Sequence, residues 1–486
     1  MSIYDKYKTV IGLEIHAQLS TKSKAYTSDS TEFGSLPNTN TSPISLGHPG
    51  TLPRLNKNNI EFAVRLGLAV NADIRKRNEF ARKNYFYADL PKGYQITQDT
   101  TPICNGGYIT LFPNTVKEKI INITRIHLEE DAGKSIHDQD PYNSLIDLNR
   151  AGVALVEIVS EPEISSSDEA YEYLAQVRKL VRYIEICDGN MEEGSLRCDA
   201  NVSVMLKDAK EFGERTETKN MNSLRNVKRA IDYEVKRQID ILEEGGKIYM
   251  ETRSFNAVDG STFKLRSKEE AHDYRFFPEP DLQPTNVEKE YIEKVKKTLP
   301  QLPNTLFKYY TNELDLSAYD ANIIIESKPM ALYFNELATL TKNHKAAANW
   351  LNGPIKSYLN KNALTIKNLT FMQPKDVAEI IELIESGKVS NSVAEQKIFP
   401  IKITSSNSSL EIAEKNNLIQ ESDDDAIDGF IKQVIDQNPN EVERYKNGEK
   451  QLTGFLMGQL MKISQGKADP KKANQLMREK LEIKKY

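Results

Sequence analysis

The chain has 486 residues, 39% of them hydrophobic and 28% charged, and a formal net charge of −5. This is the composition of a soluble globular protein with room for about three domains. The mild negative charge does not announce a nucleic-acid binder, so any such surface must be local.

No apolar run reaches membrane-spanning length, and the opening Thr9-Val10-Ile11-Gly12-Leu13 carries no secretion pattern. Cys104, Cys187 and Cys198 are few and odd in number, which speaks for a reducing, cytoplasmic setting rather than a disulfide framework. Residues 1–295 read as a mixed sheet-and-helix domain, with strand candidates at 8–19, 119–128, 145–150, 155–160, 197–206, 214–219 and 250–256. One predicted helix begins near Ser166 and lines up Tyr171, Leu174, Val177, Val181 and Ile184. Another runs from about Ser223 to Glu244 and stops at Gly245-Gly246. Long polar loops fill 27–59 and 82–116, and loops of that length are more often functional than decorative. After Pro278-Glu279-Pro280 the pattern turns helical. A helical domain at 296–405, with helices over 306–312, 331–341 and 374–386, follows a helix over 287–299. A polar linker near 404–409 leads into a small helical tail, 406–486, with helices over 424–438, 441–445, 454–464 and 471–483. The fold class is α+β with two helical appendages.

Glu14 and His16 share one face of the first strand, opposite Ile11, Leu13 and Ile15. They form half of a divalent-metal site, although a plain exposed strand face reads the same. Glu129-Glu130-Asp131 close the 119–128 strand, either as further ligands or as a solvated acidic turn. Arg197, Asp199, Asn201 and Ser203 alternate with apolar residues and make a polar face suited to a nucleotide or phosphate. Glu217 and Lys219 form a further strand of that kind. Hard oxygen donors with a single histidine suit Mg²⁺ or Mn²⁺. No Gly-rich phosphate loop is present, so if ATP binds here its phosphates must be held by metal and by Arg or Lys side chains on a sheet. No serine elbow, Cys–His glutaminase pair or Gly-Ser-Ser amidase segment occurs either, so the chain does not visibly make its own ammonia. Residues 82–87, Arg-Lys-Asn-Tyr-Phe-Tyr, would suit a single-stranded nucleic-acid end; core aromatics beside a solvated basic pair give the same string. The tail is locally basic at Lys467, Lys471, Lys472, Arg478, Lys480, Lys484 and Lys485, either an RNA-backbone surface or a solvated face.

Residues 145–163 set Asp147, Arg150 and Glu157 into two apolar runs around an Asn149-Arg150-Ala151-Gly152 break. Alone, the stretch could be a hairpin in which Arg150 pairs with Asp147. As an ordered string it resembles the segment that identifies the B-subunit family of the tRNA-dependent amidotransferases. The strings at 10–16, 37–40, 82–87, 129–134, 191–201, 219–223 and 274–281 resemble that family in order and spacing, so the resemblance spans essentially the whole chain. It implies a cradle-like sheet domain of the glutamine-synthetase-like kind, an all-α domain and a YqeY-like tail that holds tRNA. It also implies a ligase that phosphorylates the side-chain carboxylate of misacylated Glu-tRNA(Gln) or Asp-tRNA(Asn) with ATP and Mg²⁺. Ammonia then comes from glutamine through a partner A subunit, and a small C subunit ties the heterotrimer together.

Carried over position by position, Glu14, His16, Glu130 and Glu217 are the implied catalytic metal shell, with Glu129 and Asp199 as nearby candidates. Arg197 is our own candidate for a phosphate clamp, beside Asp199 and Asn201 at the nucleotide. Asp147, Arg150 and Glu157 are expected to support the cradle. Where some family members carry four zinc-binding cysteines, this chain has Thr27, Asp29, Ser42 and Ser45, so no zinc is expected. Leu148 and Ala154 replace a usual aromatic and proline. The chain also lacks the large inserted domain of archaeal E-type relatives, which favours the heterotrimeric type. Competing readings are a non-catalytic tRNA-binding scaffold and a ligase of free amino acids, the latter having no use for a helical arm.

Overall fold

Strand β1 (Tyr7–Gln18) sets the plan. Ile11, Leu13, Ile15 and Ala17 are buried on one face, while Gly12, Glu14, His16 and Gln18 stand half-buried on the other. The computed structural model describes residues 2–267, 274–420, 424–464 and 468–482, and the chain divides into two units, Met1–Leu302 and Pro303–Tyr486. The first unit thus extends past the expected end at 295.

After β1 come α1 (Lys57–Ala69), β2 (Asp73–Ile74), β3 (Arg77–Asn78), β4 (Ala81–Asn84), β5 (Tyr94–Thr97), β6 (Cys104–Asn105), β7 (Tyr108–Leu111) and β8 (Lys119–Glu130). They are followed by β9 (Lys134–Ile136), β10 (Leu145–Asp147), β11 (Ala154–Ser160), α2 (Ser167–Tyr183), β12 (Leu196–Leu206), β13 (Thr216–Lys219) and α3 (Leu224–Glu243). β14 (Glu251–Phe255), β15 (Thr262–Ser267), β16 (Phe277–Pro278), β17 (Thr285–Asn286) and α4 (Lys289–Lys296) complete the unit. The main sheet runs β15-β14-β13-β12-β1-β11-β8-β6-β2, with β7 also paired to β8. It is mixed: β13 and β14 are parallel, and its other pairs are antiparallel.

Helices cover the apolar face. α2 begins where the cap chemistry places it, Ser166 accepting from the Glu169 N–H, and it buries Tyr173, Leu174, Val177 and Val181. α3 starts at Ser223 in the same way and contributes Val227 and Ile231 to the shared core. Each such Val, Leu or Ile stabilises the fold by about 1.5–3 kcal/mol on burial. α1 takes its first turn from the end of the expected 27–59 loop. Its Ile60, Ala63 and Val64 join the same core, and Gly67 allows close packing, since a Cβ there would lie 2.6 Å from Cys104 Sγ. The 82–116 stretch likewise holds short strands, β5 to β7, rather than one open loop.

The stretch 145–163 is not a hairpin. β10 pairs with β9 in a separate two-stranded sheet, and β11 lies between β1 and β8 in the main one. Arg150 does not pair with Asp147. It donates to the carbonyls of Ala132 and Gly133 at 3.0 and 2.6 Å and lies 3.6 Å from Asp131. Asp147 accepts instead from the N–H groups of Asn38 and Asn149.

The second unit is helical, with Pro303–Asn312, Lys328–Leu340 and Pro374–Glu385 among its longer helices. The polar 404–409 stretch ends in a capping box, Ser408 with Glu411, that starts the helix Ser409–Lys415. Asp424–Gln437, Pro439–Lys446, Thr453–Ile463 and Pro470–Glu482 enclose a core of their own, including Ile427, Ile431, Leu456, Leu460 and Met477. Lys467, Lys484, Lys485 and the expected helix end at 483 lie outside the described residues. Among those residues, no helix is long and apolar enough to cross a membrane.

Candidate active site

Strand pairing assembles the site. Residues opposite each other in neighbouring strands share a face, and the register aligns His127, Glu157, His16 and Arg197 across β8, β11, β1 and β12. One step along, Glu14 stands opposite Asp199; beyond it, Asn201 stands opposite Glu217, and Glu217 opposite Thr252. His16 Nε2 lies 3.2 Å from Glu157 Oε2 and 3.5 Å from Glu129 Oε1. His127 Nε2 lies 3.3 Å from the same Glu157 oxygen, and its Nδ1 is buried with no partner. Ligand atoms of His16, Glu129 and Glu157 all fall within 4.8 Å of one another. Asn201 Nδ2 donates to Glu14 Oε1 at 2.8 Å, Thr252 Oγ1 to Glu217 Oε2 at 2.8 Å, and Lys219 bridges Asp199 and Glu217.

The electrostatics are those of crowded carboxylates. Burial, then the charges of Glu157, Glu217 and Asp199, push Glu14 above the usual carboxylate range. Burial opposes charging His16, but the Glu157 hydrogen bond and the charges of Glu157, Glu129 and Asp199 outweigh it and push the imidazole up to about 9. Glu157 is buried too, yet His127 and His16 hold it well below its ordinary value. An imidazole with several hard carboxylates and no thiolate fits Mg²⁺ or Mn²⁺, and a cation held there would relieve the repulsion on Glu14.

A polar cavity of about 410 Å³ opens over this face, lined by Glu14, His16, Glu157, Asp199 and Glu217, with Lys83, Arg125 and Arg215 as cations. A more apolar cavity of about 390 Å³ adjoins it, lined by Val10, Leu13, Pro162, Phe212 and Met250, and the two share Glu14, Asn201 and Arg215.

The sheet brings Glu14, His16, Glu129, Asp199, Asn201 and Glu217 to one face. Glu130 is not among them. Consecutive strand residues point to opposite sides, and Glu130 turns into the other face, ion-paired with Lys92 and accepting from the Ile96 N–H at 2.8 Å. The clamp expected of Arg197 is also taken up: its guanidinium grips Asp131 in two hydrogen bonds of 2.7 and 3.1 Å and does not line the polar cavity. Glu157, expected to be structural, stands at the centre of the cluster, and His127 joins it. The signal for His127 is present in the sequence as the i, i+2 series Arg125, His127, Glu129, the same spacing that singles out Glu14 and His16; Glu157 carries no such local signal.

Thr27, Asp29, Ser42 and Ser45 also converge. The Asp29 carboxylate accepts from the hydroxyls of Ser42, at 2.8 Å, and Ser45, while Thr27 Oγ1 accepts from the Asp29 N–H at 3.2 Å. One carboxylate and three hydroxyls lack the thiolates or imidazoles that hold structural zinc, so the set does not fit that metal. Burial raises the Asp29 carboxyl, but the bonds from Ser45, Ser42 and Thr27 more than offset this and leave it below its ordinary value. A depressed folded value means stability that is present above the unfolded value of about 3.9 and lost as pH falls through the folded one. Asp29→Ala is expected to lower unfolding free energy by about 1 kcal/mol at neutral pH, with the difference from the unsubstituted protein shrinking in melts below about pH 4. A zinc chelator should leave the melting temperature where it was.

A mixed sheet with one carboxylate-rich face, followed by a helical unit, is here the architecture of a known class: residues 9–293 match the GatB/GatE catalytic domain, and residues 332–481 match the GatB domain. The B subunit of the aspartyl/glutamyl-tRNA(Asn/Gln) amidotransferase of Thermodesulfovibrio yellowstonii is 48% identical over 472 residues, 97% of this chain and 98% of that protein. The proteins of the same description from Caldicellulosiruptor bescii and Rickettsia canadensis are 47% and 46% identical, each over 98% of this chain and 99% and 98% of their own lengths. The chain belongs to this family of amidotransferase B subunits.

Proposed function

We propose that the chain is the B subunit of a glutamine-dependent, tRNA-dependent amidotransferase, and that its polar cavity activates the side-chain carboxylate of Glu-tRNA(Gln), Asp-tRNA(Asn) or both. The observation that carries this reading is the His16–Glu129–Glu157 cluster, flanked by Glu14, Asp199 and Glu217 on one sheet face. The substrate carboxylate attacks the γ-phosphorus of ATP and ADP leaves; ammonia then attacks the acyl carbon and phosphate leaves. The apolar cavity suits the purine, and the shared residues Glu14, Asn201 and Arg215 bring the phosphates toward the carboxylates. His16, Glu129 and Glu157 would hold Mg²⁺, with Glu14 and Glu217 within reach. Bound there, the ion would neutralise phosphate charge as the phosphoryl group transfers. Lys219, Arg125 and Arg215 supply fixed positive charge around the same volume. Ammonia is assigned to a partner A subunit, because none of the glutaminase or amidase motifs stands in this sequence, and the C subunit is carried over from the family resemblance.

The test is reconstitution with A and C partners, glutamine, ATP, Mg²⁺ and each misacylated tRNA. Amidated tRNA with matching ATP cleavage supports the reading; a complex that binds tRNA but cleaves no ATP leaves a scaffold. The tail, with basic residues at Lys471, Lys472 and Arg478, is assigned to tRNA. Removing residues 406–486 is expected to weaken tRNA binding and spare ATP binding. Normal amidation by the truncated chain would remove that assignment.

A further inference from the structure

We propose, resting on the function above, that the rings of Tyr274 and Phe276 seat the single-stranded 3′ end of the aminoacyl-tRNA, its last base stacked at the mouth of the polar cavity. Four rings form a continuous edge-to-face series. Tyr87 lies 5.8 Å from Tyr85, Tyr85 6.1 Å from Tyr274, and Tyr274 5.9 Å from Phe276, centroid to centroid. The inner end of the series, Tyr274 and Phe276, lines the same cavity as Glu14 and His16. The outer end runs into solvent: Tyr87 is 53% exposed and its neighbour Phe86 88%. Large rings normally leave water. Tyr85 and Tyr274 are half-buried in the middle of the row, while its ends, Tyr87 and Phe276, stay exposed. A row open at both ends beside a charged cavity suits a ligand that brings several flat bases on a polyanionic backbone.

The cations agree with this occupant, though not the ones the sequence suggested. Arg82 is spent on Glu279 and Asp281. Lys83 lies 5.0 Å from the centre of the Tyr274 ring and lines the cavity with Arg125, which has no partner among the described residues. The seat is also held in place before any ligand arrives. The Asn84 backbone N–H and side-chain amide both donate to the Tyr274 carbonyl, the amide also reaches the Arg275 carbonyl, and β16 pairs with β4 just beyond. A single purine needs one ring and has an apolar cavity of its own next door; a row of four suits consecutive unpaired nucleotides.

The experiment uses the assembled complex and a misacylated tRNA whose terminal adenine is replaced by fluorescent 2-aminopurine. Binding is expected to quench the fluorophore, and Phe276→Ala or Tyr274→Ala to abolish the quench and raise KM for the tRNA about tenfold, the size of one base–ring stack. KM for ATP should not move, and Phe276→Trp should restore both quench and KM. Variants with unchanged quench and unchanged tRNA KM in an active complex overturn the seat alone, as does a rise confined to the ATP KM. An unsubstituted complex that quenches through Phe276 but never amidates removes the parent function and leaves the seat standing.

Discussion

Glu129→Gln is expected to lower ATP-dependent amidation on the order of a hundredfold to a thousandfold, the cost of removing one electrostatic contact to a transferring group, and to weaken Mn²⁺ binding. The substitution keeps size and hydrogen-bonding capacity but removes one of the two carboxylates facing His16. Glu130→Gln is the matched control, because the next residue along the strand faces the other side of the sheet. It breaks the pair with Lys92, whose side chain is only 11% exposed, so it should cost about 1–3 kcal/mol of stability while leaving Mn²⁺ affinity unchanged. Calorimetric Mn²⁺ titration and thermal melts of the two variants decide the matter. Loss of Mn²⁺ binding in Glu130→Gln with retention in Glu129→Gln would reverse the assignment.

That contrast also marks how far the sequence can be read. Glu14 and His16 are legible because β1 alternates cleanly. Glu129 against Glu130 is legible in principle, since Ile126 and Leu128 fix the inward phase and place Glu130 with them. A run of three acids hides that phase when it is read as a turn. Glu157 cannot be placed from sequence, because its partners depend on β11 lying between β1 and β8, a long-range pairing that no local pattern encodes. Arg197 misleads for the same reason: its partner Asp131 lies on a distant segment. In the helical unit the long amphipathic helices are readable, while Ala318–Ile324, His344–Trp350 and Lys356–Lys361 are too short to show two full turns of period. Leu351–Ile355, with Gly353 and Pro354 inside a widened turn, reads as a break.

Glu234→Leu is expected to destabilise the first unit by about 3–5 kcal/mol, the usual cost of stranding one member of a buried ion pair. Glu234 is fully buried on α3. Its carboxylate meets Arg253 of β14 at 2.9 Å and Arg237 at 2.8 Å, and it accepts from Thr216 of β13 at 2.9 Å and from Thr262 of β15. One side chain therefore ties the helix to three strands of the sheet edge. Leucine restores apolar volume but leaves Arg253, a residue only 9% exposed, without its full charge partner, so Glu234→Leu with Arg253→Met should recover most of the loss. Burial raises the Glu234 carboxyl, but Arg237, Thr262 and Arg253 outweigh it and keep it low. Its contribution is thus present above the unfolded value of about 4.3 and lost as pH falls through the folded one. Urea unfolding at pH 7 and at pH 3 should accordingly show a large gap between variant and parent that narrows in acid. The effect should reach the site as well, because β13 carries Glu217 opposite Thr252 of β14, and a loosened edge shifts the carboxylate that Thr252 now fixes. If the single variant amidates normally and melts within a degree of the parent, the edge is held by the sheet alone and Glu234 is dispensable.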